Sequence, residues 1–444
     1  MEKKQLKRNL FVLALPITIQ NLVAFLGNAI DTVMIGQISE IAFSGTSLAN
    51  QVFFIITMIL SGIAGGSNVL ISQYWGRKDR KSIYHVLSYT YRFALGFVCL
   101  IVFFSFFFPT TVLKIFSNDA QLIEQGSLYL RYVCLSYLFF AISTITVQIL
   151  RSVHEVKISM ISSIIALVCN ALLNYVLIFG NFGFPKLGLM GAGIATTIAR
   201  LIELCAVMIY VYRYEKNLHL RLHKLKALDK DVLRLFFQKC GPVCANEAMW
   251  SLGESCVVMI IGRLGPSVVM AMGIYNVIAQ LSSVLMNGLD SAACVLIGNT
   301  LGARRLDDLH ILRSYFQKLS LMIGGFDGML MLGSIPIAFL MYPMNEQTRA
   351  ITLQILILGA IIEVFKAFQC MNMMGILRGG GDVKFACMND IIFLWGLALP
   401  LGFICAVLLK LPFAIVFFAI KSDQIVKCIT SEWRIRKNHW MKAI

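Results

Sequence analysis

The residues of this sequence that could do chemistry are acidic side chains inside long apolar segments. Asp31 is one of them, with Asn28 about one helical turn before it. A charged side chain at the centre of a bilayer costs about 3 kcal/mol on insertion scales, so an acid there usually has a partner or a role. Asp31 is therefore our first candidate for a functional residue.

Two amides and a hydroxyl in neighbouring segments could complete a site around Asp31. Asn170 and Asn174 have the i, i+4 spacing that places them on one helix face, and Thr196 lies in the following apolar segment. Carboxylate, amide and hydroxyl oxygens are hard donors that suit Na⁺, or a proton held by hydrogen bonds. The alternative is that the asparagines only make interhelical hydrogen bonds.

The second half of the chain carries more acids. Glu247, Trp250 and Glu254 have i, i+3 and i+7 spacing on one helix face, and Asp290 and Asp390 occupy two later segments. An aromatic ring beside carboxylates in low dielectric suits a lipophilic organic cation, through ion pairing and cation–π contact. The same acids could bind and release a proton. For Glu254 and Asp390 the alternative is a structural ion pair with a nearby Arg or Lys.

Other polar residues argue against an enzyme. Glu203 lies one helical turn from Arg200, as Glu363 does from Lys366, which predicts two local ion pairs. The histidines fall at segment ends, connections or the tail, so a proton relay inside the segments would have to use carboxylates. The sequence has no H-E-x-x-H, G-x-S-x-G or C-x-x-C motif, so we predict neither a catalytic site nor a cofactor.

Composition indicates that membrane helices position these residues. The 444 residues are 58% hydrophobic and 14% charged, with a mean hydropathy of +0.77. A soluble domain has roughly 25% charged residues. Twelve apolar segments have the roughly 20 residues that cross a bilayer, and they are too long and continuous for barrel strands. They are 10–36, 46–73, 83–108, 124–150, 158–181, 187–213, 236–262, 270–300, 314–341, 350–376, 384–408 and 411–430.

The basic residues set the orientation in the membrane. Lys and Arg number 39 against 23 acids, a net charge of +16. They concentrate in alternate connections between the segments, which favours a membrane protein over a nucleic-acid-binding one. The distribution predicts a multi-pass protein of the cell (inner or plasma) membrane with both termini in the cytoplasm and an even number of spans.

The chain also repeats itself. A displacement of about 226 residues aligns one half with the other and superimposes glycines, prolines and an arginine. The aligned pairs are Pro16 with Pro242, Gly62 with Gly288, Gly76 with Gly302 and, one residue further displaced, Arg151 with Arg378. Six spans per half mean that both halves enter from the same side, which makes this a parallel repeat about an axis along the membrane normal.

The predicted fold is therefore an all-α integral membrane protein of twelve transmembrane helices in two pseudo-symmetric six-helix lobes. We place the N-terminal lobe at 1–213 and a basic cytoplasmic linker at 214–235. The C-terminal lobe and a cytoplasmic tail follow at 236–444. Internal repeats of this kind are typical of secondary transporters, which bind substrate where the repeats meet.

Ordered motifs across nearly the whole chain support a family resemblance. They are Leu15-Pro16, Asp31–Gly36, Gln73–Gly76, Ile149–Arg151, Leu177–Gly180, Phe184–Gly188, Gly191–Thr196, Gly241-Pro242, Asn246-Glu247, Leu301-Gly302 and Arg378–Asp382. In this order and spacing the chain resembles the multidrug and toxic compound extrusion (MATE) transporters. The resemblance implies two lobes around a central cleft and alternation between outward-open and inward-open forms.

By position, the resemblance assigns the cation site of the first lobe to Asp31, Asn170, Asn174 and Thr196. Position 174 is Asn where many relatives have Asp. Trp250 stands where better-known subgroups have the acid of the seventh span, and Glu247 lies one turn earlier. The second-lobe candidates for binding substrate or a proton are Glu247, Trp250, Glu254, Asp290 and Asp390.

These observations predict an antiporter that expels cationic or amphipathic small molecules in exchange for H⁺ or Na⁺. Its partners would be the small molecules and the lipid bilayer, with no nucleic acid, and we expect a monomer. A flippase for lipid-linked saccharides or other amphiphiles is the alternative. It would share the many-helix design and basic inner loops, but large cationic residues would line its cleft.

Overall fold

The computed structural model describes residues 3–215, 217–218, 229–342 and 344–442. Within these ranges the regular structure is helical, apart from an isolated bridge between Gly381 and Met441. The helices of the first half are α1 Lys3–Gly36, α2 Glu40–Gly76, α3 Arg80–Phe107, α4 Pro109–Lys114, α5 Ala120–Ser152, α6 Lys157–Phe179 and α7 Gly188–Arg213. A short 3₁₀ turn, Asn181–Gly183, follows α6.

The second half has the same order of long helices with more interruptions. Its helices are α8 Lys230–Gly262, α9 Pro266–Gly302, α10 Leu306–Gly333, α11 Ile335–Met341, α12 Glu346–Cys370, α13 Val383–Phe393, α14 Leu399–Phe403 and α15 Phe413–Arg436. Three π-helical segments, Met371–Leu377, Leu394–Ala398 and Ile404–Leu408, continue α12, α13 and α14. A π-helical turn widens a helix locally and is frequent at functional sites.

The prediction of twelve transmembrane helices is confirmed, and each predicted segment coincides with a helical span. Within the described residues, ten spans are long and apolar enough to cross a membrane by length and composition alone. α8 and α15 complete the twelve. Both carry several charged side chains, among them the Asp423 and Lys427 that interrupt the last predicted segment.

The chain packs as two compact units whose boundaries differ from those of the sequence repeat. One unit contains 19–71 and 80–237. The other contains 238–444 together with 1–18 and 72–79. The second unit includes the two short segments because they pack on α9, where Gly288 leaves room for Thr18 and Gly298 leaves room for Ser72. Half of the predicted linker 214–235, namely residues 216 and 219–228, lies outside the described residues.

The ends of α2 and α9 cross at two glycines that the repeat aligns. A Cβ added to Gly76 would collide with the carbonyl oxygen of Asn299, and one added to Gly302 would collide with that of Gln73. Gln73 and Asn299 are themselves a repeat pair, so the contact is reciprocal about a local pseudo-two-fold axis. Small residues at such crossings let helix backbones approach closely.

Candidate functional site

The four residues predicted for the first-half site form one hydrogen-bonded chain. Asn174 Nδ2 donates to Asp31 Oδ1 at 2.6 Å and lies 3.3 Å from Asn170 Oδ1. Asn170 Nδ2 donates to Thr196 Oγ1 at 3.3 Å, and Thr196 Oγ1 donates to the carbonyl oxygen of Ala192 at 3.0 Å. Helices α1, α6 and α7 thus contribute a carboxylate, two amides and a hydroxyl, which hydrogen bonds join in that order.

A cavity of about 390 Å³ opens beside this chain, within the unit that contains 19–71 and 80–237. Asp31 and Thr196 line it, together with the aromatic rings of Phe53, Tyr129 and Tyr137. Ligand pockets for small molecules commonly measure roughly 300–1,000 Å³ and combine apolar walls with a few convergent polar groups. The cavity has the size and the mixed lining of such a pocket.

Arg200 is the basic residue of the cavity lining, and it has a carboxylate partner of its own. Its Nη1 lies 2.7 Å from Glu203 Oε2, which confirms the local ion pair predicted from the sequence. Its guanidinium also lies over the ring of Phe140, 4.9 Å from the centroid. The guanidinium also acts electrostatically on Asp31, so the carboxyls of Asp31 and Glu203 share one positive charge and the site keeps one net negative charge.

Asn174 also has an acceptor oxygen available to a ligand. Its side chain is buried, with only 1% of its surface exposed, and its Oδ1 has no hydrogen-bond partner. An uncompensated buried acceptor is costly, about 1–3 kcal/mol, and a bound cation or proton donor would relieve that cost. Among the described residues no group of three or more His, Cys, Asp or Glu side chains could hold a metal ion. A cation here would therefore be held by one carboxylate and neutral oxygens.

The second-half acids surround an arginine. Arg378 Nη1 lies 3.6 Å from Glu247 Oε1, and the guanidinium also acts electrostatically on Asp290 and Asp390. Asp290 is 6% exposed and its Oδ1 has no hydrogen-bond partner. The π-helical segment Met371–Leu377 immediately precedes Arg378 and packs on α9, the helix that carries Asp290. The structure thus brings three of the five predicted second-half residues around one guanidinium.

Asp390 takes part in a buried ion triad. Lys427 Nζ donates to Asp390 Oδ1 and to Asp423 Oδ2, each at 2.6 Å. The lysine side chain is 2% exposed and that of Asp423 is 4% exposed. The geometry of Asp390 is thus that of the structural ion pair considered from the sequence.

Trp250 and Glu254 lie further along α8 than Glu247 and outside the Arg378 cluster. Trp250 is 45% exposed, whereas Glu254 is partly buried and acts electrostatically on Tyr275 of α9. The two therefore extend the same helix face but do not contact the guanidinium. Local spacing correctly placed them on one face of α8, and tertiary packing separates their surroundings.

The basic partners are not evident from the sequence. The repeat aligns Arg151 with Arg378, but it does not indicate that either is a site residue. Arg151 is buried and bonds neutral amides, with Nη1 3.1 Å from Gln148 Oε1 and Nη2 donating to Gln20 Oε1. Its repeat mate Arg378 forms an ion pair with an acid instead. The signal that could have indicated these partners is that each half has a basic residue at the end of the corresponding span.

The comparisons with known proteins agree with this architecture. A family model described as MatE matches residues 16–176 and 242–404, one match in each half. An uncharacterized transporter of Bacillus subtilis, YisQ, is 27% identical over 98% of this chain and 95% of its own length. A probable multidrug resistance protein of Thermotoga maritima, NorM, is 25% identical over 91% of this chain and 86% of its own length.

Solved structures share the fold. A multidrug resistance MATE family transporter of the MOP superfamily, in an outward-facing conformation, superimposes with a TM-score of 0.87 at 18% identity. The alignment covers 98% of this chain and 97% of that one. A MOP superfamily transporter of Pyrococcus furiosus gives a TM-score of 0.86 at 18% identity with the same coverage, and its binding pocket is described as having reverse polarity that suggests a different function.

Proposed function

Because the chain belongs to the MatE family of membrane transporters, we propose that it exports cationic or amphipathic small molecules in exchange for H⁺ or Na⁺. As a transporter it is not an enzyme, and its membrane-spanning architecture suits the translocation of small-molecule substrates. The relatives named as probable multidrug resistance proteins favour drug-like substrates.

The observation that carries the proposal is the hydrogen-bonded chain Asp31–Asn174–Asn170–Thr196 beside a small-molecule-sized cavity. Among the residues described by the structure, Asp31 has no ion pair at hydrogen-bonding distance, so its charge is available to a mobile cation. Phe53 and Tyr137 offer aromatic faces to a lipophilic cation. A cationic substrate and the coupling ion would therefore compete for one carboxylate.

Coupling follows from that competition. H⁺ or Na⁺ entering from outside would neutralise Asp31, weaken the hold on a cationic substrate and favour its release. The ion can drive transport only if it binds one arrangement of the protein better than the other, because equal affinity shifts no equilibrium. Asp31, with Asn170, Asn174 and Thr196 as neutral ligands, is the residue whose occupancy would make that difference.

The acids of the second half would contribute less directly to coupling. Glu247, Asp290 and Asp390 share the positive charges of Arg378 and Lys427, so an external cation must compete with fixed basic groups there. Trp250 and Glu254 remain candidates for contact with substrate along α8. We expect both termini on the cytoplasmic side of the cell membrane. Because one chain lines the cavity, the proposal requires only a monomer.

The test is transport in reconstituted vesicles with one gradient at a time. The vesicles are loaded with ethidium, and a Na⁺ gradient alone or a pH gradient alone is imposed across their membrane. We expect one of the two gradients to drive ethidium efflux, identifying the coupling ion. Efflux under neither gradient, in vesicles that contain correctly inserted protein, would contradict the proposal. Scrambling of a fluorescent lipid-linked saccharide without ethidium efflux would favour the flippase.

A further inference from the structure

Asp327 is a buried acid that the first-half site does not use. It lies in the middle part of the span Leu306–Met341 and is 1% exposed. Its Oδ1 has no hydrogen-bond partner. A carboxylate in this setting would carry an uncompensated charge away from water, which costs several kcal/mol. The residue therefore needs a positive partner or a proton.

Asp327 lies where α10 and α12 cross closely. Gly324 and Gly328 flank it along α10, and both lack the room for a side chain. A Cβ on Gly328 would lie 2.6 Å from the carbonyl oxygen of Ala360, and one on Gly324 would lie 2.9 Å from the Cα of Val364. Gly324 lies three residues before Asp327 on the same side of α10, and a Cβ on it would also lie 3.3 Å from the carbonyl oxygen of Glu363, so Asp327 lies beside the turn of α12 that carries Glu363.

The charged groups that act on Asp327 are Glu363 and Lys366, both on α12. Lys366 Nζ is already engaged: it lies 3.0 Å from Glu363 Oε1 and 2.8 Å from Ser283 Oγ of α9. The first of these contacts confirms the ion pair predicted from the sequence. Two buried carboxyl groups thus share one ammonium, and the second carboxyl has no cation of its own.

The remaining titratable neighbours do not supply the missing charge. Tyr275 of α9 faces Glu363 and is 3% exposed, and Cys370 of α12 is in electrostatic reach of both Glu363 and Lys366. Neither carries a positive charge. Ser283 Oγ of α9, a neutral oxygen, is bonded to Lys366. A metal ion would find few free ligands, whereas a proton needs only one carboxyl oxygen.

We propose that Asp327 and Glu363 form a second proton-binding site, separate from Asp31, that takes up and releases one proton per chain. With the proton bound, two carboxyls and one ammonium sum to zero charge, which is the favourable state for a buried cluster. Lys366, whose side chain is 31% exposed, is the most exposed member of the cluster. This site goes beyond the proposed export activity, because it binds a proton whether or not a substrate is moved.

The test counts protons and does not depend on transport. Purified full-length protein in lipid nanodiscs is titrated through the near-neutral range, and proton uptake per chain is compared between wild type and variants. Asp327→Asn, which mimics the protonated acid, should take up about one proton fewer per chain. The matched control is Asp307→Asn, an exposed acid at the start of the same helix, which should equal wild type. Equal uptake by Asp327→Asn and wild type would overturn the site.

A second variant covers the case in which Asp327→Asn does not fold. Lys366→Met removes the shared ammonium, so both carboxyls should then be protonated at neutral pH. At neutral pH its two carboxyls should hold about one more proton than those of wild type, counted by the infrared absorption of protonated carboxyl groups, because the total proton count also loses the ammonium proton. Unchanged carboxyl protonation in Lys366→Met would also overturn the proposal. If ethidium efflux fails while wild type and the variants bind protons as expected here, only the export proposal is contradicted.

Discussion

Asp31 in the first half and Asp390 in the second are both acids within membrane-spanning helices, but their partners differ in charge. Asp31 accepts a hydrogen bond from the neutral amide of Asn174 and borders a cavity. Asp390 accepts one from the ammonium of Lys427, which is almost fully buried and also binds Asp423. A neutral donor orients a carboxylate without cancelling its charge, whereas a basic donor does both.

The same contrast holds between the two repeat-related arginines. Arg151 donates hydrogen bonds to Gln20 and Gln148, which are neutral, while Arg378 forms an ion pair with Glu247 and acts electrostatically on Asp290. The difference suggests a division of labour: acids with neutral partners are free to bind a mobile cation, and acids with basic partners hold the second half together. Four substitutions test whether the charge of the partner decides the role of each acid.

The largest effect is expected from Lys427→Met. Removing the ammonium leaves Asp390 and Asp423 buried without a counter-charge, and breaking a buried pair in this way costs about 3–5 kcal/mol. Thermal unfolding in nanodiscs should show a much lower midpoint than wild type. Lys421→Met, a partly exposed lysine on the same helix, is the control and should change the midpoint little. A normal midpoint for Lys427→Met would remove the structural role assigned to the second half.

Asp31→Asn should have the next largest effect, on transport and not on folding. The substitution keeps the size of the side chain but removes the charge that a cation would neutralise. Gradient-driven efflux should fall on the order of a hundredfold, the upper range of typical coupling energies. The unfolding midpoint should stay within the range expected for losing one hydrogen bond, about 1 kcal/mol. Retained gradient-driven efflux would show that coupling lies elsewhere.

The smallest expected effect is the difference between Arg378→Gln and Arg151→Gln. The first leaves Glu247 and Asp290 without their guanidinium, and the second removes a charge from neutral amides. Arg378→Gln should therefore be the more destabilising by about 1–2 kcal/mol, since unpaired buried charges cost more than lost neutral partners. Unfolding midpoints of the two variants, measured side by side, check the order. Equal losses would mean that the two halves do not differ in this respect.

The fold and the shared face of Asn170 and Asn174 could be predicted from the sequence because both depend on local spacing, whereas the family resemblance grouped these two with Asp31 and Thr196. Long apolar runs specify spans, and i, i+4 spacing put Asn170 and Asn174 on one face, where the structure joins them to Asp31 and Thr196. The second-half pairings could not be predicted in the same way. Lys427 reaches Asp423 within α15, which spacing could indicate, but it reaches Asp390 only through the packing of α13 on α15.

Asp327 shows the same limit more strongly. Nothing in its own segment supplies a partner, and its neighbours Glu363 and Lys366 lie on another span. The glycines beside it, Gly324 and Gly328, carried a signal of close helix approach, but the sequence did not reveal which helix would approach. Contacts between distant spans depend on tertiary packing, which a single sequence without an alignment specifies only indirectly.

The reciprocal crossing at Gly76 and Gly302 has the geometry of a homodimer contact made within one polypeptide. In a true homodimer every substitution appears on both sides of the axis, so an acid introduced near it would face its own copy. A fused chain is exempt from that constraint. Asp31 illustrates the exemption, because its repeat counterpart is the buried apolar residue Val257. One covalent chain can thus carry a charged site in one half and a tightly paired core in the other.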